Sequence, residues 1–471
     1  MGRLVVVSNR VAEIDSRGEA SKGGLAMALS AALREHHGLW FGWSGQASAA
    51  PGPANVRRNG GIDVATIDLT EDEIENYYNG FSNRTLWPLC HYRPDLVMHE
   101  RAYGAAYAQV NEKFADALMP LLREDDTLWV HDYHLVPLAR ALRARGAQNR
   151  IGFFLHIPWP ARQVLSTLPR HHQLVQAMFD YDLIGFQTQG WLDAFEDYVV
   201  EELKGSLDGA GSLTALDRTV RAGAYPIGLD MGEMRAMVAS EAARRTCATM
   251  KAEDQQLLIG VDRIDYSKGL PQKFAAFEQF LEDEPQWREK VALLQIGQPS
   301  RTDVEAYQQL HDRLLSEAGR INGEFGTLAW APLRYRAQSM PRDVLTGAYR
   351  AARAAIVTPL YDGMNLVAKE YVAAQDPDDP GVLILSRFAG AAAQMREALL
   401  VNPNSREDLA DAIRRAVEMP RAERIARWKA LYAGVARDDL TAWRQSFLHD
   451  LLGDRPVGGQ DPLARAPAVA R

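Results

Sequence analysis

The stretch Leu257-Leu258-Ile259-Gly260-Val261 is a short apolar run that stops directly before Asp262-Arg263-Ile264-Asp265-Tyr266-Ser267-Lys268-Gly269. The run shows no polar alternation, which is typical of a strand with both faces buried in a parallel sheet. Ligands of such sheets bind outside the carboxyl ends of the strands, where the polar loop follows. This stretch therefore predicts an α/β fold with a binding edge.

The same pattern recurs along the chain. Comparable apolar runs lie at Leu4–Ser8, Leu128–His131, Ile151–His156, Leu183–Gln187, Val291–Ile296, Ala354–Thr358 and Val382–Ser386. Longer amphipathic stretches, typical of helices, lie between them at Ala102–Leu122, Pro271–Leu281 and Val304–Ala318. Strands that alternate with helices predict a doubly wound α/β architecture.

The strand series divides into two sets, and 471 residues are enough for two domains. We predict two doubly wound domains, residues 1–235 and 236–452, that face each other across a cleft. Leu229–Ala252 is predicted to be helical and to open the second half. Gly205–Ser212 is predicted to be a flexible loop, and residues 453–471, rich in Pro, Gly and Ala, a disordered tail.

The composition limits the partners. The chain has 53 Lys and Arg against 61 Asp and Glu, a formal net charge of −8, which argues against nucleic acid or an anionic membrane surface. No apolar run approaches the roughly 18 residues of a membrane helix, and no leader pattern precedes Leu4. Cys90 and Cys247 show neither metal-ligand nor disulfide spacing. We therefore expect a cytoplasmic protein, in which the sequon Asn83-Arg84-Thr85 occurs by chance.

Several cofactor motifs are absent from the sequence. It contains neither a Gly-x-x-x-x-Gly-Lys loop nor a Gly-x-Gly-x-x-Gly fingerprint, which removes the strongest support for an ATPase or a nicotinamide dehydrogenase. Asp180-Tyr181-Asp182 and Asp376-Pro377-Asp378 match an Asp-x-Asp metal pattern, but both precede strands and so lie at the wrong edge for a ligand. We predict no required metal and no cofactor.

Polar clusters follow the predicted strands of both halves. They are Ser8-Asn9-Arg10, His131–His134, His156–Pro160, Asp262–Gly269, Gly297–Arg301 and Leu360–Asn365. One such cluster means little, because strand-end loops are polar in general. Six clusters enriched in Arg, His and Asp predict a site between the two halves.

The residue types indicate a phosphorylated ligand. Arg263, Lys268 and Arg301 follow strands of the second half, and converging cations suit a diphosphate, although surface salt bridges are the alternative. Gly23-Gly24 precedes a helical run, as does Asp362–Asn365, and free N–H groups at a helix start bind anions or sugar hydroxyls.

Two aromatic groups lie in the first half, outside the helical stretches. They are Trp40-Phe41-Gly42-Trp43 and Tyr77-Tyr78 with Trp87. Aromatic faces can stack on sugar rings, but core packing is the more common use of such residues. Spacing alone therefore favours core packing for both groups, with ligand contact as the less common alternative.

These clusters, in this order, resemble those of trehalose-6-phosphate synthases from Leu4 to about Leu452. The most specific stretches are Val6–Arg10, Gly38–Gly45, Tyr78–Asn83, Val130–His134, Phe154–Pro160, Arg263–Gly269 and Asp362–Tyr371. The resemblance implies a GT-B fold of two Rossmann-like domains. It also implies a metal-independent transfer of glucose, with retention at the anomeric carbon, from a nucleotide-glucose to glucose-6-phosphate.

The resemblance also assigns roles to residues. Acceptor binding falls to Arg10 at the phosphate, Asp132 at the hydroxyls, and Trp43, Tyr78 and Trp87, and we place Arg301 with them. Donor binding falls to Gly23, Gly24, Arg263, Lys268, Met340, Asp362, Gly363, Met364, Asn365, Leu366, Val367 and Glu370. The residues expected to act in the reaction are Arg263, Lys268, Asp362 and His156, which faces the transferred glucose. The resemblance implies an aromatic residue beside the nucleotide base at position 340, where this sequence has Met340. UDP is therefore a less specific expectation for the donor than glucose is.

Three other functions share this scaffold. A sister transferase could make glucosylglycerol-phosphate or a pseudo-disaccharide, a sensor could bind sugar phosphate without catalysis, and an epimerase could act on a nucleotide sugar. The acceptor residues argue against the first and third, and Arg263, Lys268 and Asp362 argue against the sensor. Small molecules are the expected partners, and we expect a homo-oligomer, either a dimer or a tetramer.

Overall fold

The computed structural model describes residues 2–12, 29–30, 33–34, 37–59, 61–209, 211–300 and 304–453. Two mainly parallel sheets dominate it, one of ten strands and one of six. All eight apolar runs that predicted strands form strands, because their side chains are buried on both faces of the sheets. The predicted α/β class is confirmed.

The first sheet has the strand order β3-β4-β2-β1-β5-β6-β7-β10-β9-β8. Its strands are β1 (Leu4–Arg10), β2 (Leu39–Ala47), β3 (Asn55–Asn59), β4 (Ile62–Leu69), β5 (Thr127–His131), β6 (Arg150–Phe154), β7 (Leu183–Phe186), β8 (Ser206–Leu207), β9 (Ser212–Ala215) and β10 (Arg218–Ala224). Among the described strands of this sheet, only the edge pairs β3–β4, β8–β9 and β9–β10 are antiparallel. The parallel centre brings the ends of β1, β5 and β6 to one edge.

The second sheet is parallel throughout and has the order β13-β12-β11-β14-β15-β16. Its strands are β11 (Gln256–Arg263), β12 (Val291–Gln298), β13 (Leu333–Arg336), β14 (Ala354–Val357), β15 (Val382–Ser386) and β16 (Leu399–Val401). The chain passes from β11 outward to β13 and then returns to β14. The loops after β11 and β14 therefore meet at the point where the strand order reverses, which is where ligands of such sheets bind.

Helices cover both sheets. They are α1 (Glu71–Glu73), α2 (Trp87–Cys90), α3 (Arg101–Leu118), α4 (Leu138–Ala144), α5 (Arg162–Leu165), α6 (His171–Met178), α7 (Gln189–Leu203), α8 (Met231–Ala239), α9 (Glu241–Lys251), α10 (Leu270–Asp283), α11 (Glu305–Phe325), α12 (Arg342–Ala351), α13 (Leu366–Ala374), α14 (Arg406–Glu418), α15 (Arg421–Arg437) and α16 (Leu440–Leu452). The three amphipathic stretches form α3, α10 and α11. Leu229–Ala252 forms two helices, because Ser240 ends α8 and caps the start of α9.

The prediction of a flexible loop over Gly205–Ser212 is wrong at both ends. Ser206–Leu207 forms β8 and Ser212 begins β9, and the two strands pair antiparallel. The turn residues Gly209 and Gly211 have φ values of +73° and +89°, which suit glycine. The Gly-rich composition thus marks a hairpin turn.

The last helix returns to the first sheet. Phe447 of α16 stacks on Trp129 of β5 at 4.9 Å between ring centroids, and Trp443 meets Phe154 of β6 edge-on at 5.1 Å. The Tyr225 hydroxyl donates to the Asp450 carboxylate at 2.7 Å. The chain therefore crosses between the two sheets twice, after β10 and between α15 and α16.

The two crossing segments lie side by side. The N–H of Leu440 donates to the carbonyl oxygen of Leu229 at 3.0 Å, and a Cβ on Gly228 would stand 2.1 Å from the carbonyl oxygen of Asp438. Within the ranges given above, no helix combines the length and the apolar character needed to cross a bilayer.

Candidate active site

An arginine and two aromatic rings form one cluster at the edge of the first sheet. The Arg10 guanidinium lies 5.8 Å from the centre of the Trp43 ring, and Trp43 lies 5.6 Å from Tyr78. Tyr78 in turn stacks on His134 at 5.9 Å. Three residues predicted to bind the acceptor are thus brought together. Among the described residues no carboxylate pairs with Arg10, so its charge is available to an anion.

A glycine makes room for Arg10. Gly45 has φ +87°, and a Cβ there would stand 2.4 Å from Nε of Arg10. Only glycine accommodates both this conformation and the guanidinium lying against the backbone.

Tyr78 and Trp87 are positioned by an unusually wide helix. Residues Ile74–Leu86 form a π-helix between α1 and α2, and the N–H of Trp87 donates to the carbonyl oxygen of Ser82, five residues earlier. Thr70 and Glu73 close the start of this helix with a capping box. π-Helical turns are rare and often occur at functional sites.

Asp132 and His156 are joined by a hydrogen bond between neighbouring strand ends. Asp132 follows β5 with φ +76°, and its Oδ1 accepts from the backbone N–H of His156 at 3.2 Å. A positive φ is uncommon for aspartate and indicates a position held by its surroundings. Burial lowers the pKa of His156 to about 3, so its ring is neutral at physiological pH.

Arg263 joins the two halves of the site. It ends β11, and its guanidinium lies 5.2 Å from the centre of the Trp87 ring on α2. Within the described ranges no carboxylate lies within ion-pair distance of Arg263. The acceptor-side ring and the predicted donor cation are therefore in direct contact, and the Arg263 charge is not neutralised.

Lys268 and Asp362 form an ion pair at the same edge. Lys268 Nζ lies 2.6 Å from Oδ2 of Asp362, and both side chains are largely buried. The Asn365 amide donates to the same oxygen at 3.0 Å, and its carbonyl oxygen caps α13 by accepting from the Ala368 N–H. Burial acts to raise the pKa of Asp362, but Lys268, His91 and Asn365 outweigh it, so the pKa is lowered.

His91 was not predicted from the sequence. Its ring lies 4.0 Å from the Trp87 ring, and it lies near enough to Asp265, Lys268 and Asp362 for their charges to act on it. Burial is the main cause that lowers the pKa of His91 to about 4. The residue follows the four-residue helix α2 and belongs to no recognisable motif, so nothing in the sequence could have indicated this position.

The start of α13 lies beside this pair. Met364 is buried, and its carbonyl oxygen accepts from the N–H of Ala391 at 2.7 Å, while Leu366 and Val367 form the first turn of the helix. Burial raises the pKa of Glu370 to about 7, and Arg342 Nη2 lies 3.9 Å from its carboxylate. Met340 lies two residues before Arg342 in the chain.

Gly363 makes a tight backbone contact between the two halves. A Cβ at this position would stand 2.0 Å from the carbonyl oxygen of His156, and the Gly363 carbonyl oxygen already accepts from Trp191 Nε1 at 3.3 Å. The loop that carries Asp362 therefore packs directly on the loop after β6.

We expect Gly363→Ala to raise the donor KM and to destabilise the fold by about 1–3 kcal/mol, the usual cost of overpacking. Steady-state kinetics and thermal unfolding measure the two effects. Gly319→Ala is the control, because its Cβ meets open space in α11 and should stabilise the helix by about 0.5–1 kcal/mol. Unchanged donor KM in Gly363→Ala would contradict the tight contact.

Three predicted residues lie outside the described residues: Gly23, Gly24 and Arg301. The two Asp-x-Asp patterns have structural partners. Asp180 pairs with Arg140 at 2.8 Å and with Arg218, Asp182 accepts from the Ile151 N–H at 2.7 Å, and Asp376 pairs with Arg350 at 3.1 Å. In the part of the chain that the structure describes, no three His, Cys, Asp or Glu side chains are grouped as metal ligands would be.

Two mainly parallel sheets, with Arg263 and Lys268 after a strand of one and an Arg-aromatic cluster at the edge of the other, are the arrangement of a GT-B glycosyltransferase. The model of glycosyltransferase family 20 matches residues 3–452, and the chain belongs to that family.

Relatives of known name support this membership. A trehalose-6-phosphate synthase of Sinorhizobium fredii is 47% identical over 456 residues, 96% of this chain and 98% of the relative. A solved trehalose-phosphate synthase (UDP-forming) of Burkholderia xenovorans, in complex with glucose-6-phosphate, is 48% identical, with TM-score 0.91 over 96% of this chain and 100% of its own. An E. coli structure bound with UDP-2-fluoro glucose is 45% identical, with TM-score 0.92 over 96% and 99%.

Proposed function

We propose that this chain transfers glucose from UDP-glucose to glucose-6-phosphate, yielding α,α-1,1-trehalose 6-phosphate and UDP. The observation that carries the proposal is the contact of Arg263 with Trp87, because it places an unneutralised donor cation against the acceptor cluster. The family membership and the ligands of the solved relatives support the same reaction.

Each predicted residue has a role in this proposal. Arg10 binds the acceptor phosphate beside Trp43 and Tyr78, and Asp132 binds its hydroxyls. Asp362 binds hydroxyls of the transferred glucose, and Glu370 binds the ribose beyond the first turn of α13. Gly23 and Gly24 are proposed for the donor, and Arg301 for the acceptor.

The reaction breaks the bond between the anomeric carbon and the diphosphate oxygen and forms a bond to the acceptor hydroxyl oxygen on the same face. The acceptor proton passes to the departing phosphate oxygen, as the family resemblance implies. Arg263 and Lys268 stabilise the negative charge that develops on that oxygen, and preorganised charges of this kind often contribute most to catalysis. Asp362 is held by Lys268 and Asn365, so it orients sugar hydroxyls and does not attack as the nucleophile of a two-carboxylate glycosidase does.

A substrate panel tests the function. UDP-, GDP- and ADP-glucose are each offered with glucose-6-phosphate, glycerol-phosphate or glucose, and the sugar-phosphate product is identified by mass spectrometry and NMR. We expect trehalose 6-phosphate with UDP-glucose and glucose-6-phosphate. A glucosylglycerol phosphate in its place, or no product from any pair, would overturn the proposal.

We expect Arg10→Met to raise the KM for glucose-6-phosphate about 10- to 150-fold, which corresponds to the loss of about 1.5–3 kcal/mol from one charged hydrogen bond. The donor KM should change little, because Arg10 lies at the edge of the first sheet. Arg57→Met on the exposed edge strand β3 is the control and should leave both KM values unchanged. An equal rise of both KM values would contradict the assigned role.

The organisation of the protein belongs to the same proposal. We propose an acceptor domain over residues 1–235 and a donor domain over 236–452, and a dimer or tetramer in solution, for which the exposed Leu315 and Leu328 offer apolar contact. Light scattering measures the assembly. A cytoplasmic location is supported by the thiols of Cys90 and Cys247, which are both unpaired.

A further inference from the structure

Gln187 and His156 lie at the ends of neighbouring strands in the first sheet, β7 and β6. Gln187 Nε2 lies 3.3 Å from Nδ1 of His156, and His156 Nε2 lies 3.1 Å from Nδ1 of His131. Both ring nitrogens of His156 are therefore engaged. Gln187 itself is almost completely buried; it ends the apolar run Leu183–Gln187 but belongs to none of the polar clusters described above.

A backbone group fixes the orientation of the Gln187 amide. The N–H of Ile227, which can only donate, points at Oε1 of Gln187 at 3.0 Å. The nitrogen end of the amide must then face His156, and that end can only donate. Ile227 is itself held from its other side, because Lys369 Nζ donates to its carbonyl oxygen at 2.7 Å. The amide cannot reverse without placing two donors against each other.

This order of donors fixes the proton on His156. Nδ1 must accept from Gln187, so in the neutral ring the proton sits on Nε2. Nε2 then donates to Nδ1 of His131, whose own proton sits on Nε2. That Nε2 is buried and has no hydrogen-bond partner among the described residues, and the Trp129 ring lies 4.7 Å from the His131 ring.

We propose that Gln187 is a positioning residue of the transfer reaction, which holds His156 in the Nε2–H tautomer and ties its ring through Ile227 to Lys369 on the donor helix α13. Because Nδ1 accepts from Gln187 and Nε2–H donates to His131, neither ring nitrogen is left to hydrogen-bond a sugar hydroxyl, and the ring can contact the sugar only through its carbon atoms. The inference rests on the proposed function, since it fixes the tautomer and the orientation of the ring that faces the transferred glucose.

The series of hydrogen bonds through Ile227 also fixes the position of His156 relative to the start of α13. Lys369 lies between Val367 and Glu370, and its ammonium is shared between Ile227 and Gln394, which donates to Asp438 at 2.9 Å. Ile227 lies on one crossing segment and Asp438 on the other. His156 and the start of α13 are thus both fastened to the place where the chain passes between the sheets.

The tautomer is measured directly. The protein contains 11 histidines, and their rings are observed by NMR after labelling with ¹⁵N-histidine. The signals that disappear in His156→Gln are those of the His156 ring. In the unaltered protein we expect His156 Nδ1 to be unprotonated and Nε2 protonated. In Gln187→Glu the introduced carboxylate still accepts from Ile227 but now also faces Nδ1 as an acceptor, so Nδ1 should become protonated. A protonated Nδ1 in the unaltered protein would overturn the proposal.

Kinetics separate positioning from mere stability. Gln187→Met should lower kcat/KM for the donor about 10- to 100-fold and leave the Kd for glucose-6-phosphate within about twofold. Gln375→Met is the matched control, because Gln375 is a buried glutamine whose Oε1 also accepts a backbone N–H, from Gly381 at 2.8 Å. If the melting temperature falls in both variants but the donor kcat/KM falls only in Gln187→Met, the proposal stands. An equal fall of the donor kcat/KM in both variants would overturn it. The ring spectrum needs no substrate, so failure of the transfer assay and failure of this inference are separate results.

Discussion

Replacing Arg263 by alanine should lower kcat about 100- to 1,000-fold while the melting temperature changes by about 3 °C or less. The guanidinium lies over Trp87 and pairs with no carboxylate among the described residues. Its removal therefore leaves no buried carboxylate without a partner. Its positive charge is used when negative charge develops on the departing diphosphate. Stopped or steady-state assays give kcat, and differential scanning calorimetry gives the melting temperature.

Arg288→Ala is the matched control for this prediction. The Arg288 guanidinium lies over Phe325 at 5.1 Å, nearly the same contact, but it precedes β12 at the amino end of the second sheet. Its loss should leave kcat unchanged. Near-normal kcat in a folded Arg263→Ala protein would remove the proposed role in catalysis. Arg263→Lys should recover part of the activity, since it restores the charge without the planar fork.

Replacing Lys268 by methionine should impair both activity and stability. The substitution leaves the Asp362 carboxylate buried without its cation, and removing one partner of such a pair typically costs about 3–5 kcal/mol. Turnover should fall about 100- to 1,000-fold, because the second donor cation is lost. Lys113→Met is the control, since Lys113 of α3 pairs with Glu73 at the same 2.6 Å but is more exposed than Lys268.

The pH dependence of Lys268→Met identifies the cause. In the unaltered protein the lowered pKa of Asp362 adds stability above its unfolded value of about 3.8, and this stability is lost as the pH falls through the lower folded value. Without Lys268, burial dominates and raises that pKa, so the variant's deficit should shrink as the pH falls and the carboxyl gains a proton. Lys268→Met/Asp362→Asn should regain stability but not turnover. A deficit that does not vary with pH would exclude the unpaired carboxylate as its source.

The strands that the sequence predicted are those buried on both faces. Two of the strands it missed lie at sheet edges: β3 (Asn55–Asn59) is an exposed edge strand with two arginines, and β13 (Leu333–Arg336) has polar residues. β2 was read only as an aromatic group, because its Trp-Phe-Gly-Trp core lacks the continuous aliphatic run that predicted the other strands. Edge strands take their structure from a neighbour and not from their own pattern.

The sequence could predict those residues of the candidate site that directly follow a strand, but not the contacts between the two halves. Arg263, Lys268, Asp132 and His156 follow apolar runs, so the rule for parallel sheets placed them at binding edges. The contact of Arg263 with Trp87 depends on how the two halves meet, which no local pattern contains. The π-helix that aims Tyr78 and Trp87 differs from an α-helix only in its hydrogen-bond partners, and no periodicity in Ile74–Leu86 indicates this.

The return of α16 to the first sheet has a consequence for synthesis of the chain. The aromatic surface of Trp129 and Phe154 emerges from the ribosome early, whereas Trp443 and Phe447, which cover it, are made close to the end of the described chain. A nascent chain therefore presents an uncovered aromatic face through most of its translation, the kind of surface that chaperones bind and that promotes aggregation. A chain shortened before Leu440 would keep that face permanently open.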